Sequence, residues 1–544
     1  MANDSKRLIE EPRMTTEKHD IFVGEESAPF YTSVPLLRHV HGKVLLKVLS
    51  LARPTHAYKL SKRLGYCFVP QLLRSHIWGE SAVQLKNHPT SYLSGLRGLA
   101  AVKVFTFHFL NTFSDAGFVA WGEDEQHKYF LELPIIRYLF ASATAHIFFG
   151  VAGYMTTLRF FQICGAGTDQ VAQAKVLRFT AGSLFRRALR LYLPTSIITL
   201  ITIHYIYFGL YEHNRAYLNQ HDKYFPGPGR EILSAQFPTY SEQMLNWSQE
   251  MIKLTNLFQL GVEPTLDPHL WSILAEMQGS LLLFLILVAT ATCRRHVRWI
   301  AMWLMTIVLI LWGHDEAWVY TSGGIVALID LYLTETEQNS KVTLTPVGGI
   351  EEKPNSSWPA RVSAIPPWLK RFLRLVLFLV TFYLLSYPIS GYGFYGWDGH
   401  APGYVWLNKY IPQSVHKKER FWQNIATALL LLLIVRSDQS TSVWRRLLNS
   451  KLLQYLGKIS FAMYLLHGPF LHFIGYMIPH YIWWSLGVES EYLTDLPWSI
   501  VIVVGWAANL LLLMGAADVW TREVEGRCVK FVKKLEEHAF ATTM

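Results

Sequence analysis

Of the chain's 544 residues, 51% are hydrophobic and 17% charged, with 19 Trp and 27 Tyr. That balance carries more apolar surface than one soluble core of this length needs, which excludes an ordinary soluble enzyme and indicates an integral membrane protein. The excess of 50 Lys and Arg over 40 Asp and Glu needs no nucleic acid to explain it. Positive-inside bias is sufficient, and a basic cytosolic rim also attracts anionic substrates.

Residues 1–90 differ in kind from the rest. The start, "MANDSKRLIEEPRMTTEKHD", is polar and lacks the apolar core of a signal peptide. The segment "LLRHVHGKVLLKVLSLAR", residues 36–53, alternates Leu and Val with basic residues at helical spacing. It suits an amphipathic helix on an anionic membrane surface or an ordinary solvated helix.

From residue 91 to 520, about ten apolar windows long enough to span a bilayer predict an all-α polytopic bundle. They centre near Val102, Phe149, Ile201, Leu282, Met305, Ile325, Phe378, Leu430, Leu465 and Ala507. Basic residues place both termini in the cytosol: Lys175, Arg178, Arg186, Arg187 and Arg190 in one loop, then Arg294, Arg295 and Arg298, then Arg445, Arg446 and Lys451, then Lys530, Lys533 and Lys534. Lys409, Lys417, Lys418 and Arg420 dissent by falling on the lumenal side. A long lumenal loop is expected from Tyr211 to Pro268, with an N-glycosylation sequon at Asn246; Asn3 and Asn355 begin sequons on the cytosolic side. The polar stretch Thr334–Pro367 reads as a flexible cytosolic linker inside the bundle, and 521–544 as a basic cytosolic tail. An endoplasmic-reticulum-type or other endomembrane is the expected location, with the plasma membrane as the alternative.

Cys67, Cys164, Cys293 and Cys528 are scattered singly, so neither a disulfide framework nor a metal spacing is indicated, and no H-E-x-x-H, G-x-S-x-G or phosphate loop occurs. Any chemistry must come from ionisable groups inside the bundle. In "SYLSGLRGLAAVKVFTFHF", Arg97 and His108 share one helix face to within about 20° and stand roughly 16 Å apart. Ionisable groups at membrane depth cost at least a few kcal/mol and normally face a bundle interior or wet cavity. Lys103 lies off that face and is expected to meet a partner helix or snorkel. Ser272 and Glu276 share a face one turn apart, and Ser460, Tyr464 and His467 form a polar stripe at i, i+4, i+7. Such a stripe also serves to join helices. Arg187 and Arg190 sit at a helix entrance, suited to lipid head groups or to the phosphates of a nucleotide-bearing donor.

These stretches resemble the ordered blocks of the acyltransferase family three membrane proteins. "GLRGLAAVKVFTFHF" is similar to its Arg-x10-His first helix, "HIFFGVAGYM" to its FF-x-x-SG block and "RRALRLYLP" to its Arg-rich block. "LWSILAEMQ" resembles W-S-L-x-x-E, and "LGKISFAMYLLHGPFL" resembles G-x-x-S-[YF]-x-x-Y-L-x-H. The set spans about Ser91 to Phe470, and "YLLHGPF" looks most like filamentous-fungal members, many of which decorate secondary metabolites. Ala152 departs from the family by replacing the serine of FF-x-x-SG, which removes that hydroxyl.

The resemblance implies transfer of an acyl group, often acetyl, from acyl-coenzyme A to a hydroxyl of an acceptor. His108, near neutral pKa as a free imidazole, is the candidate general base. Arg97, helped by Arg187 and Arg190, would hold the donor's phosphates. Glu276 would orient His108 or accompany Arg97. Ser460 and Tyr464 would donate to the thioester carbonyl, Ser272 would line the substrate site, and His467 would help bind either substrate. No cofactor beyond the co-substrate is implied, and no protein partner. No lipase-like domain follows the last span, which favours a small lipophilic acceptor over a cell-wall polymer. Two other classes stay open: an intramembrane terpene cyclase or isomerase using Glu276 as acid, and a proton-coupled transporter, although no internal repeat is visible.

Overall fold

The computed structural model describes residues 69–77, 88–125, 127–139, 144–164, 170–218, 225, 227, 229, 231, 233–259, 261–342, 366–389, 401–415, 417–438, 442–487 and 495–540. Contacts divide the chain into residues 1–66 and 67–544, and the described residues all belong to the second unit. The expected amphipathic segment at 36–53, the sequons at Asn3 and Asn355, and Cys67 lie outside the described residues.

Every regular element among the described residues is helical, which is how a chain in lipid satisfies its backbone polar groups. The principal helices are α1 (Ser91–Leu110), α2 (Thr144–Cys164), α3 (Gln170–Tyr207), α4 (Tyr240–Thr255), α5 (Trp271–Ala289), α6 (Arg295–Leu311) and α7 (Asp315–Val342). They continue with α8 (Pro367–Leu385), α9 (Lys418–Val435), α10 (Lys451–Phe470), α11 (Met477–Ser485), α12 (Asp495–Trp520) and α13 (Gly526–Ala539).

Among these residues six helical stretches are long and apolar enough to cross a membrane: Ser91–Leu110, Gln173–Tyr207, Pro268–Ala289, Asp315–Gln338, Lys451–Ser485 and Leu496–Ala539. The other four windows read from the sequence fall on α2, α6, α8 and α9, helices of 21, 17, 19 and 18 residues that miss that standard. In α2 His146, Arg159 and Gln162 interrupt the apolar run, and the helix packs closely on α7. A Cβ on Gly153 would stand 2.1 Å from the Tyr320 carbonyl oxygen of α7, and one on Gly323 would stand 2.2 Å from that of Gly150. Close helix contact demands small residues. By contrast α6 exposes Ile300, Trp303, Leu304, Ile307 and Leu311 along one side, an apolar stripe suited to lipid.

At the other close crossing, α1 meets α10. A Cβ on Gly98 would lie 2.4 Å from the Gly457 nitrogen, and one on Gly457 would lie 2.2 Å from the Ser94 carbonyl oxygen. This contact fixes where Arg97 and His108 stand relative to the polar stripe of α10. Lys103 does not snorkel. It is buried with its ammonium over the Tyr138 ring, 2.9 Å from the centroid, a cation–π contact.

The expected linker, C-terminal tail and lumenal loop are all partly helical. The linker read as Thr334–Pro367 begins inside α7, which runs to Val342. Arg295 binds Glu335 at 2.7 Å, and Arg436 binds Asp330 at 3.2 Å and also Glu337, which holds that extension in place. The tail after residue 520 continues as helix through Ala539, with Glu536 paired to Arg186 of α3 and Phe540 against Phe185. The sequon at Asn246 lies half-buried within α4, whose start is capped by Thr239, rather than in a surface loop.

Candidate active site

α1 ends at Leu110, and its terminal carbonyls need partners. Phe107 O accepts from Asn111 N–H and Leu110 O from Phe113 and Ser114 N–H, and the two carbonyls just beyond the helix accept from glycines: Gly227 N–H donates to Thr112 O at 3.0 Å and Gly229 N–H to Asn111 O at 2.9 Å. A Cβ on Gly227 would stand 2.2 Å from Asn111 O, so glycine permits the approach. The docking brings the Glu231 carboxylate to His108, whose Nδ1 donates to Oε1 at 2.8 Å.

Three more histidines converge there. Asp267 caps a short 3-10 turn, accepting from the His269 backbone N–H at 3.1 Å and from its ring Nδ1 at 2.7 Å. The other nitrogen of His269, Nε2, lies 2.8 Å from Glu231 Oε1 and 3.1 Å from His108 Nδ1. His472, in a π turn after α10, donates from Nε2 to Glu231 Oε2 at 2.6 Å. His467 turns Nδ1 to its own helix, donating to Tyr464 O at 2.5 Å, while its buried Nε2 has no hydrogen-bond partner. Its ring centroid is 4.3 Å from that of His269 and 5.2 Å from that of His108. Gly468 makes room: a Cβ there would meet His269 Nδ1 at 2.5 Å. Burial alone would raise the Glu231 carboxyl, but the charge of His269 and the hydrogen bonds from His108, His269 and His472 hold it well below the usual carboxylate range. The His108 side chain is 28% exposed against 10% for Glu231 and 3% for His269. His108 is therefore the ring a substrate can reach, and among the described residues nothing hydrogen-bonds its Nε2.

A second ionic cluster lies toward the other end of α1. Arg187 donates to Glu276 Oε1 at 3.1 Å and to the Tyr320 hydroxyl and Thr156 Oγ1, each at 3.4 Å. Arg97 stacks 5.9 Å over the Phe148 ring and feels the charges of Glu276, Glu525, Arg187 and Arg190. Arg97, Phe148, Ser272, Glu276, Phe461 and Tyr464 border one cavity. Tyr464 joins the two clusters: its hydroxyl accepts from Ser272 Oγ at 2.6 Å and donates to the His269 carbonyl.

The residues singled out in the sequence thus divide. Arg97, Ser272, Glu276 and Tyr464 come together at the cavity, and Arg187 reaches it through Glu276. His108 and His467 meet in the histidine cluster. Glu276 does not orient His108; that place belongs to Glu231, and Glu276 pairs with Arg187. Ser460 does not face the cavity, because its buried hydroxyl donates to Gly457 O at 2.9 Å within its own helix. Arg190 is exposed, one turn from Arg187. Glu231, Asp267, His269 and His472 were not expected. Asp267 and His269 precede the "LWSILAEMQ" block directly, a proximity that could have flagged them, whereas Glu231 sits in an irregular loop with no periodicity to mark it.

Two groups have donor atoms within 4.8 Å of one another and so could hold a metal ion: His108, His269 and His467, and, in the loop after α1, Asp115, His127 and Glu132. In the second, His127 already bonds Asp124 at 2.7 Å and Asp115 at 3.3 Å.

Comparison with known proteins places this geometry. Residues 90–514 match a family described as an acyltransferase domain. The chain is similar to the O-acetyltransferase PaAT-1 of Phomopsis amygdali, 26% identical over 447 residues, 78% of this chain and 81% of that protein. It is also similar to acyltransferase R4 of a Phoma species, 23% identical, covering 82% and 95% of the two chains. Acyltransferase clz18 of Cochliobolus lunatus is 21% identical, covering 83% and 96%. No solved structure matches.

Proposed function

Since the chain belongs to this acyltransferase family and is an acyltransferase, we propose that it moves an acyl group, most simply acetyl, from acyl-coenzyme A to a hydroxyl of a small lipophilic acceptor of the secondary-metabolite kind. The observation that carries the reading is the His108–Glu231 pair. A carboxylate only accepts, so the 2.8 Å bond puts the imidazole proton on Nδ1 and leaves the Nε2 lone pair toward the exposed side. There it takes the acceptor hydroxyl's proton as oxygen attacks the thioester carbonyl carbon. The carbon–sulfur bond breaks, and the imidazolium returns the proton to the coenzyme A thiolate. Glu231 fixes the tautomer and stabilises the imidazolium.

The donor's phosphates fit the other cluster. Arg97, Arg187 and Arg190 bring three guanidiniums against the two carboxylates of Glu276 and Glu525, which leaves positive charge for an anion. Phe148, Phe461 and Tyr464 border the cavity at that cluster and offer the pantetheine arm an apolar wall; the Ser272 and Tyr464 hydroxyls already donate to Tyr464 and to the His269 carbonyl, so a thioester carbonyl would have to displace one of those bonds to accept from them. The cyclase alternative needs Glu276 as a proton donor, but its carboxylate accepts from Arg187, which suits an anion.

The positive-inside pattern of the loops supports both termini in the cytosol of an endoplasmic-reticulum-type membrane. The first test is incubation of the full-length protein in detergent with labelled acetyl-coenzyme A and a lipophilic metabolite extract. Label should move to a hydroxylated acceptor with the native protein and not with His108→Ala. A product of unchanged mass formed without thioester would overturn the reading in favour of cyclisation. Protease protection of tagged ends checks the topology.

A further inference from the structure

We propose that the histidine cluster is a binding site for a divalent transition-metal ion of the zinc class, and that an ion held there switches acyl transfer off. The donors are His108 Nδ1, His269 Nε2, Glu231 Oε1 and His467 Nε2. The first three lie 2.8, 2.8 and 3.1 Å from one another, and the ligand atoms of His108, His269 and His467 all fall within 4.8 Å. A tetrahedral zinc ion with bonds near 2.0–2.1 Å separates its donors by about 3.3 Å; shifts of a few tenths of an ångström bring His108, His269 and Glu231 to that spacing, and His467, within the 4.8 Å spread of the histidine ligand atoms, has to swing inward to complete it. Three imidazoles and one carboxylate form a donor set that zinc accepts.

Hydrogen bonding accounts for His108 and His269 without an ion, because Glu231 accepts from both. It does not account for His467, 1% exposed, whose Nε2 has no hydrogen-bond partner. A buried, unpaired polar atom costs about 1–3 kcal/mol, and a metal bond removes that cost. The surroundings agree. Metal ligands are normally oriented through their second polar atom. Here His269 Nδ1 is held by Asp267 at 2.7 Å, His467 Nδ1 by Tyr464 O at 2.5 Å, and the second oxygen of Glu231 by His472 at 2.6 Å.

The effect on activity rests on the acyl-transfer reading. Coordination through Nδ1 leaves the His108 proton on Nε2, which removes the lone pair that would act as base.

The test is titration of Co2+ into EDTA-stripped full-length protein in detergent, followed by visible absorption. One equivalent should give tetrahedral bands that Zn2+ displaces. His467→Ala should abolish them or weaken affinity beyond the roughly 10–100-fold loss expected for the outer-shell change Asp267→Asn. His296→Ala, an exposed histidine on α6, should change nothing. If thermal melting shows His467→Ala unfolded, His467→Gln replaces it. Absence of a saturable band in the native protein, or a band indifferent to both His467→Ala and Glu231→Gln, overturns the site. Zn2+ should also stop label transfer and EDTA restore it; bound Zn2+ with unchanged transfer overturns the switch. Failure of transfer in stripped protein would instead remove the acyl-transfer reading, while the Co2+ spectrum still decides the site.

Discussion

The two ionic clusters along α1 are built in opposite ways. Around Arg97 the charges ride on regular helices, Arg187 on α3 and Glu276 on α5. Around His108 most of the partners come from irregular chain: Glu231 from a loop, Asp267 and His269 from a 3-10 turn, His472 from a π turn. Helix-borne groups keep a period that a sequence displays. Loop-borne groups are placed by backbone docking, such as the Gly227 and Gly229 bonds to the carbonyls just beyond α1. In the proposed reaction the two would divide the labour: the salt-bridged helices would hold the polyanionic donor, and the network closed by loops would set one imidazole's tautomer.

Breaking the histidine side should have the largest effect. His108→Ala should lower kcat by about 10²–10⁴, the usual worth of a general base, with coenzyme A binding retained; turnover near native would remove it from the chemistry. Glu231→Gln tests whether the loop sets the tautomer. A smaller loss is expected, in kcat rather than in KM for the donor, with Glu231→Asp recovering part of it.

Breaking the arginine side should move the other parameter. Arg97→Ala should raise the KM for acyl-coenzyme A by about 10-fold or more, on the basis of roughly 1.5–3 kcal/mol for a hydrogen bond to a charged group. A change in acceptor KM alone would reverse the assignment of the two ends. Ser460→Ala sharpens the boundary of the site. Its hydroxyl bonds only within its own helix, so activity should stay within about twofold; a large loss would return Ser460 to the substrate path.

The smallest effect concerns the approach to the histidine cluster. Glu250 accepts from Thr265 N–H at 2.8 Å, Thr265 Oγ1 at 2.9 Å and Lys253 at 2.7 Å, and so tethers the chain two residues before Asp267. Burial pushes its carboxyl up, but these bonds together bring it below the usual value. A lowered folded value stabilises the protein above the unfolded value, near pH 4.3, and that contribution fades as pH falls through the folded value. Glu250→Gln should therefore lower Tm at pH 7, with the gap to native closing below about pH 4; a gap independent of pH would mean that the bonds act without the charge.

Composition and apolar windows determined that this chain is an all-helical membrane protein, because a bilayer allows few other solutions. Ordered local blocks also brought out Arg97, His108, Glu276 and Tyr464, since each sits on a periodic helix where a polar residue stands out. Hydropathy counted spans less well: His146, Arg159 and Gln162 weaken the signal of α2, although its glycines let it pack closely on α7. Only the tertiary structure decided which carboxylate serves His108. Glu276 was the one visible on a helix, but Arg187 holds it on the far side of Tyr464. Glu231 reaches the imidazole from 123 residues away in sequence, a separation that no local period records and that long-range packing alone can close.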